Sequence, residues 1–253
     1  MIRILLHGCM GAMGQALCRI ISETPDLQIA AGVDIRAAAS AYAFPVYENF
    51  EQCTEEADVL IDFSIAQAAD AVLKVCAERK LPLVMATTGL SAEQMEMIRS
   101  LSETVPVVQS YNMSLGINLL VSLVKEAAPV LADAGFDIEI VEQHHNKKAD
   151  APSGTAILLA DAAKEALDDG YFNIYDRTGR RSRRDPKEIG ISSVRGGTIT
   201  GIHDVIFAGE DEVVTLKHQA FSKAVFAKGA VAAAKFLQGR ENGLYDMQDV
   251  IRG

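Results

Sequence analysis

The sequence predicts an α/β protein: a doubly wound parallel sheet in the first half and a smaller α+β region in the second. Three observations carry this. Over residues 2–109, short apolar runs of strand length alternate with helix-length stretches, the pattern of a parallel sheet covered on both faces. A glycine-rich turn, Gly8-Cys-Met-Gly11-Ala-Met-Gly14, stands between the first strand and the first helix. After residue 190 the pattern becomes period-two, as in half-buried strands, and closes in an alanine-rich helix over 222–237.

Composition narrows the function classes. A chain of 253 residues suits one large domain or two modest ones. The net charge of −10 argues against general nucleic-acid binding. Cys9, Cys18, Cys53 and Cys76 are scattered without a C-x-x-C pair. A reducing compartment, the cytoplasm, is therefore expected. No apolar run approaches about eighteen residues, so no membrane-spanning helix and no membrane partner are expected. The chain opens on a strand pattern that glycines soon interrupt, unlike a signal peptide.

Taken in order, Ile2–His7 is a short apolar strand, followed by the glycine turn, a helix to about Ile21, and a second strand over 28–33 that ends at Asp34. Strand, glycine turn, helix, strand, acid is the order of a Rossmann-type dinucleotide-binding unit. The first glycine allows the tight turn, the second lets backbone approach a pyrophosphate, and the third lets helix and strand pack closely. The spacing is one residue longer than the standard G-x-G-x-x-G. Asp34, twenty residues beyond Gly14, is placed to bond ribose hydroxyls. The bland alternative is a turn that only packs.

Strands at 59–63, 83–87 and 105–109 alternate with helices at 66–79 and 92–101. Ligands of such sheets sit beyond the carboxyl ends of the strands, where Ala86-Thr-Thr-Gly89 and Ser110-Tyr-Asn-Met113 lie. Helix capping or turn formation is the competing role for Thr87 and Thr88. A long helix is expected over 115–131. Residues 171–188 are polar and carry Arg177, Arg180, Arg181, Arg183 and Arg184. A mobile surface loop is the favoured reading there, a substrate patch the alternative. Runs at 191–195, 198–207 and 213–218 alternate as antiparallel strands do, with Gly209–Glu212 as a turn.

The chemistry concentrates in Glu142-Gln-His-His-Asn-Lys-Lys-Ala-Asp-Ala-Pro-Ser-Gly-Thr-Ala156. Residues 136–141 before it alternate Ile138 and Ile140 against Asp137 and Glu139, and an amphipathic helix over 156–167 follows. Ser153 is a good N-cap. A new helix start offers free N–H groups to a carboxylate or phosphate. His144, His145 and Lys148 add proton-transfer groups and charge. Alone, a His-His pair or a Lys-Lys pair is usually surface decoration. Zinc is disfavoured because no cysteine is near and no His-x-x-x-His helical spacing exists.

These segments together resemble the 4-hydroxy-tetrahydrodipicolinate reductase (dihydrodipicolinate reductase) family over essentially the whole chain. The most specific part is His144-His145-x-x-Lys148-x-Asp150-Ala-Pro-Ser-Gly-Thr-Ala156. Asn112-Met-Ser-Leu-Gly-Ile-Asn118, Val194-Arg-Gly-Gly197, Gly201-Ile-His203 and Gly243-Leu-Tyr-Asp-Met-Gln-Asp-Val250 support it. The resemblance implies NADH- or NADPH-dependent reduction of a cyclic dicarboxylate in the diaminopimelate route to lysine. It implies a dinucleotide-binding domain of residues 1–113 and 222–253. It also implies a substrate-binding domain of 114–221 with a mixed sheet that builds a homotetramer. By position, His144 is implied as proton donor/acceptor and Lys148 as proton donor. His145, Gly154 and Thr155 are implied as substrate ligands. Gly8, Cys9, Met10, Gly11, Ala12, Met13, Asp34, Ala86, Thr87, Thr88, Ser110, Tyr111, Asn112 and Met113 are implied to border the cofactor.

Two positions depart from the family pattern. Ala12 stands where many relatives have Arg, removing a partner for a 2′-phosphate. Ala86 replaces a Gly, tolerable unless that position needs positive φ. Another two-domain dehydrogenase would share the first half without needing His-His-x-x-Lys before Ser-Gly-Thr. A non-catalytic nucleotide sensor is disfavoured by the charge and by the lack of a recognisable helix-turn-helix.

Overall fold

The structure is a computed structural model and describes residues Met1–Gly253. The chain runs β1 (Ile2–His7), α1 (Ala12–Ser22), β2 (Leu27–Val33), β3 (Val46–Tyr47), β4 (Val59–Asp62), α2 (Ala69–Arg79), β5 (Leu83–Met85), α3 (Ala92–Ser102), β6 (Pro106–Gln109), α4 (Leu115–Asp133), β7 (Asp137–His144), α5 (Gly154–Ala166), β8 (Phe172–Ile174), β9 (Glu188–Arg195), β10 (Gly201–Ala208), β11 (Val213–Ala220), α6 (Ala224–Phe236), β12 (Gly243–Tyr245) and α7 (Met247–Arg252). It divides into two compact units, Met1–Leu115 with Ala224–Gly253, and Gly116–Lys223.

The first unit holds a seven-stranded sheet in the order β12-β6-β5-β4-β1-β2-β3. Every pairing in it is parallel. Its strands read as unbroken apolar runs because both faces are covered. Leu6, Ile61 and Val84 pack with residues of α1 and α6. Leu5, Leu60 and Leu83 pack with residues of α2 and α3 on the other side. The winding reverses between β1 and β4, the switch point where such sheets hold ligands. Sequence periodicity did not anticipate β3 and β12. With two and three residues at the two sheet edges, they are too short to show a period.

The second unit holds five strands in the order β11-β10-β7-β9-β8. Here the antiparallel reading holds for β10 and β11 and fails for β9, and the mixed sheet implied by the resemblance is what forms. β10 is antiparallel to β7 and β11, but β7–β9 and β8–β9 are parallel. Alternation reports a half-buried face and not strand direction, so it could not separate the two. The sheet is mixed. Ile138, Ile140, Ile191, Val205 and Phe207 form its core with Leu120 and Val124 of α4 and Leu159 and Ala163 of α5. The opposite face carries Glu139, Asp204 and Lys217, with Lys217 Nζ 3.1 Å from Asp204.

Two further expectations change. Residues 171–188 are not a loose loop throughout: they contain β8, and Arg177, Arg180 and Arg184 are tied to the sheet, while Arg181 and Arg183 are exposed. Arg177 binds Glu139 at 2.7 Å, Arg180 binds the buried Glu188, and Arg184 binds Asp137. Acids on β7 and β9 offset the charge of these three arginines. The expectation about membrane-length helices also needs revision. α4 has 19 residues and is long and apolar enough to cross a membrane by length and composition alone, as core helices can be. Lys125 and Glu126 break its apolar run, which hid it from a search for continuous stretches. One stripe of α4, including Leu120 and Val124, is buried in the core of the second unit.

Candidate active site

In the first unit, the glycine turn is shaped as its spacing requires. Gly8 has φ +76°, and a Cβ there would lie 2.6 Å from the Phe63 carbonyl oxygen. A Cβ on Gly14 would lie 2.2 Å from the Gly8 carbonyl oxygen, so α1 packs on the turn only without a side chain at that position. Gly11, the N-cap of α1, supplies no side-chain cap. The start of α1 is thus left to an external acceptor, and a dinucleotide pyrophosphate fits this cradle. A bound NAD(P)H would rest on the backbone of Gly8 to Met13.

The implied cofactor residues separate by exposure. Ala12, Thr88 and Tyr111 are exposed, and Gly8, Met10, Gly11, Met13 and Ser110 are half-buried at the strand ends. Cys9 and Met113 are buried in the core, so only their backbones are available to a ligand. Ala86 is buried and is not among the residues of positive φ, a role taken by Gly89 at +76°. Its substitution for glycine is therefore accommodated. Asn112 is buried, and its Oδ1 accepts from Ser114 N at 2.9 Å.

Asp34 is buried too, and its carboxylate already accepts bonds from the chain. Its Oδ2 accepts from Met10 N at 2.9 Å, and its Oδ1 accepts from Arg36 N at 3.0 Å and Arg36 Nε at 3.3 Å. The acid therefore clamps the glycine turn and the half-exposed Arg36 together. Thr87 is also fully engaged. Its hydroxyl donates to Asp62 Oδ2 at 2.6 Å and accepts from Ser64 N at 3.1 Å. The other oxygen of Asp62 bonds His7 Nδ1 at 2.7 Å. His7 and Asp62 received no role from sequence reasoning. The available signal was a polar residue closing each of two apolar strands.

In the second unit, β7 continues to His144, further than residues 136–141. Glu142 and His144 alternate with Gln143 and so face the same side of the sheet. Register supplies their neighbours: β10 sets His203 opposite Glu142, and β9 sets Arg195 opposite His144. The apolar rows of this face thus end in a polar cluster. His144 Nδ1 lies 2.5 Å from Glu142 Oε2. Arg195 grips both oxygens of Glu142, at 2.8 Å and 2.7 Å, and also donates to the Asp150 carbonyl at 2.6 Å. Ser153 N donates to Glu142 Oε1 at 3.1 Å.

Glu142 has no exposed surface. Burial pushes its carboxyl up, but hydrogen bonds from Arg195, Ser193 and His144 outweigh that and hold it at about 2. With the carboxylate accepting from Nδ1, a neutral His144 carries its proton there and leaves Nε2 for chemistry. His203 is buried and approaches Ser153 Oγ through Nε2 at 3.1 Å. Burial and then His144 push its pKa down to about 4, so it stays neutral near pH 7.

The loop after β7 holds the other implied residues. Lys148 Nζ is 2.9 Å from Asp150 Oδ1 with its side chain mostly covered, whereas Lys147 is exposed. His145 is half-buried, and its buried Nδ1 has no partner within the chain. Ser153 caps α5 by accepting from Ala156 N at 3.2 Å. Gly154 opens the helix into free space, with Thr155 beside it half-buried. His144, Lys148, Gly154 and Thr155 thus belong to one strand–loop–helix unit. Glu142, Arg195 and His203 complete it, although they carried no assigned role in the sequence reading.

Comparison with known proteins gives the family. Residues 2–113 match the family described as dihydrodipicolinate reductase, N-terminus, and residues 116–251 match dihydrodipicolinate reductase, C-terminus. The chain is 51% identical over 252 residues to 4-hydroxy-tetrahydrodipicolinate reductase of Caldanaerobacter subterraneus subsp. tengcongensis, covering 100% of this chain and 99% of that one. It is 45% identical over 247 residues to the Clostridium tetani protein of the same name, covering 98% and 96%. A solved structure, dipicolinate-bound dihydrodipicolinate reductase from Paenisporosarcina sp. TG-14, superposes with a TM-score of 0.81 at 26% identity over 98% of both chains. The chain belongs to the dihydrodipicolinate reductase family.

Proposed function

We propose that the chain reduces 4-hydroxy-tetrahydrodipicolinate with loss of water, or dihydrodipicolinate as its already dehydrated form, to tetrahydrodipicolinate with NADH or NADPH, a step of the diaminopimelate route to lysine. The observation that carries the reading is the Glu142–His144 pair at 2.5 Å beside the start of α5, with Lys148 on the same loop. NAD(P)H held over the glycine turn supplies the hydride. The chain's own residues then manage charge and protons. Lys148 gives the proton that the reduced ring skeleton takes up. His144 exchanges a proton through Nε2 while Glu142 holds Nδ1. His145, Gly154 and Thr155 hold a substrate carboxylate at the helix start.

NADH is used at least as well as NADPH in this reading. The Asp34 carboxylate repels a 2′-phosphate, and Ala12 offers no compensating charge. Arg36 lies against that acid through Nε, so part of the charge it would bring to such a phosphate is already offset. We also assign the working form as a homotetramer, built through the face of the second sheet opposite α4 and α5. The compartment is assigned as the reducing cytoplasm, where the four free cysteines remain thiols.

The test is NADH oxidation in the presence of the fresh condensation product of pyruvate and aspartate semialdehyde. Turnover supports the assignment. NADH binding without turnover would instead favour a nucleotide sensor.

A further inference from the structure

At the switch point of the first sheet, one buried chain of hydrogen bonds joins three strand ends. His7 ends β1, Asp62 ends β4, and Thr87 lies two residues past β5. His7 Nδ1 bonds Asp62 Oδ1 at 2.7 Å, and the Thr87 hydroxyl donates to Asp62 Oδ2 at 2.6 Å and accepts from Ser64 N at 3.1 Å. Backbone bonds knit the same segments, with Phe63 N donating to His7 O at 3.2 Å and Ala86 N to Asp62 O at 3.0 Å. The glycine turn rests on this platform, since a Gly8 Cβ would strike the Phe63 carbonyl. Asp62 has no exposed surface, and His7 and Thr87 have 9% and 3%.

Stability alone is a weak reason for such a chain, because well-packed apolar side chains commonly serve a core as well as buried charged groups do. Location is the stronger reason. The chain spans the segments that line the carboxyl edge of β1, β4 and β5, and it consumes the Thr87 hydroxyl on both sides.

We propose that His7 is a positioning residue for the cofactor. Through Asp62 it fixes Thr87 and Ser64, so that the glycine turn, residues 63–64 and residues 86–88 present one rigid backbone surface to a nicotinamide dinucleotide. This rests on the reading that the first unit binds NAD(P)H. Thr87 then serves the cofactor by holding backbone, and its hydroxyl makes no contact of its own.

The test titrates NADH by fluorescence against the full-length protein without substrate, alongside thermal unfolding and steady-state KM for both substrates. His7→Asn keeps a donor near the Nδ1 position, and His7→Leu removes it, leaving a buried carboxylate oxygen unpaired. We expect His7→Leu to weaken NADH binding by about tenfold or more. The dicarboxylate KM should stay unchanged and His7→Asn should bind within about threefold of wild type. If His7→Leu does not fold, Thr87→Val and Thr87→Ser take its place, with weakening expected for valine and recovery for serine. A leucine variant that loses thermal stability yet binds NADH normally overturns the proposal, and so does an asparagine variant as weak as leucine. If wild type itself fails to bind NADH, the cofactor reading falls and this inference falls with it, a result distinct from either.

Discussion

Glu142 and His144 stand two residues apart on one face of β7, with Oε2 and Nδ1 at 2.5 Å. The same carboxylate holds Arg195 and the backbone of Ser153. One buried acid therefore sets the tautomer of the histidine and the position of the helix start. Glu142→Gln keeps the shape but must turn an NH2 group toward donors. An unpaired buried donor costs about 1–3 kcal/mol, so kcat/KM should fall about ten- to a hundredfold. Nitrogen NMR of neutral His144 in wild type should show the proton on Nδ1. A proton on Nε2, or a glutamine variant with normal kinetics, would contradict this role.

His203 predicts a pH dependence of stability. Its folded pKa of about 4 lies below the ordinary histidine value of 6.5. Between these values the unfolded chain binds a proton that the folded chain refuses, so stability falls as pH drops from 6.5 towards 4. Glu142 acts in a lower window. Its contribution is full above 4.5 and is lost as pH falls towards about 2. The stability gap between wild type and His203→Gln should therefore narrow by about 2 kcal/mol from pH 7 to pH 4.5. Denaturant unfolding at the two pH values checks this, and a constant gap would refute it.

The outline of the fold was legible because covered parallel strands leave unbroken apolar runs, as in Leu83–Met85, and amphipathic helices leave a strong period, as in Ala92–Ser102. The glycine turn was legible because each glycine answers a steric demand. Tertiary pairing was not. Nothing local to Arg195 or His203 says that register will set them beside His144 and Glu142. Arg177 and Arg184 misled for the same reason, since their partners Glu139 and Asp137 lie far back in the chain. Asp34 showed its position by spacing but not its bonds to Met10 and Arg36.

Those bonds bear on cofactor choice. Arg36 partly neutralises Asp34, so Arg36→Ala should raise the NADH-to-NADPH ratio of kcat/KM by about fivefold, the scale of an exposed ion pair. Asp34→Ala should lower it. Paired kinetics with both cofactors measure the ratio. A strong wild-type preference for NADPH would show that Asp34 does not decide the matter.

The proposed assembly makes a testable demand on one sheet face. Val194 and Val213, on the face of the second sheet opposite its helices, are 44% and 61% exposed in the single chain, and such strands need covering. Light scattering at working concentration should give a tetramer, and Val213→Lys should shift it towards smaller species. A wild-type monomer would contradict the assignment.

The most direct measurement of the central claim compares two neighbouring lysines in NADH oxidation with the fresh condensation product. Lys148 is mostly covered and paired with Asp150, while Lys147 is exposed. Lys148→Ala should lower kcat by about a hundredfold or more, the usual scale of acid–base catalysis, and His144→Ala should do the same. Lys147→Ala should change little, and Thr155→Val should act chiefly on KM. Equal behaviour of the two lysine variants, or near-normal kcat in Lys148→Ala, would contradict the assignment of the proton donor.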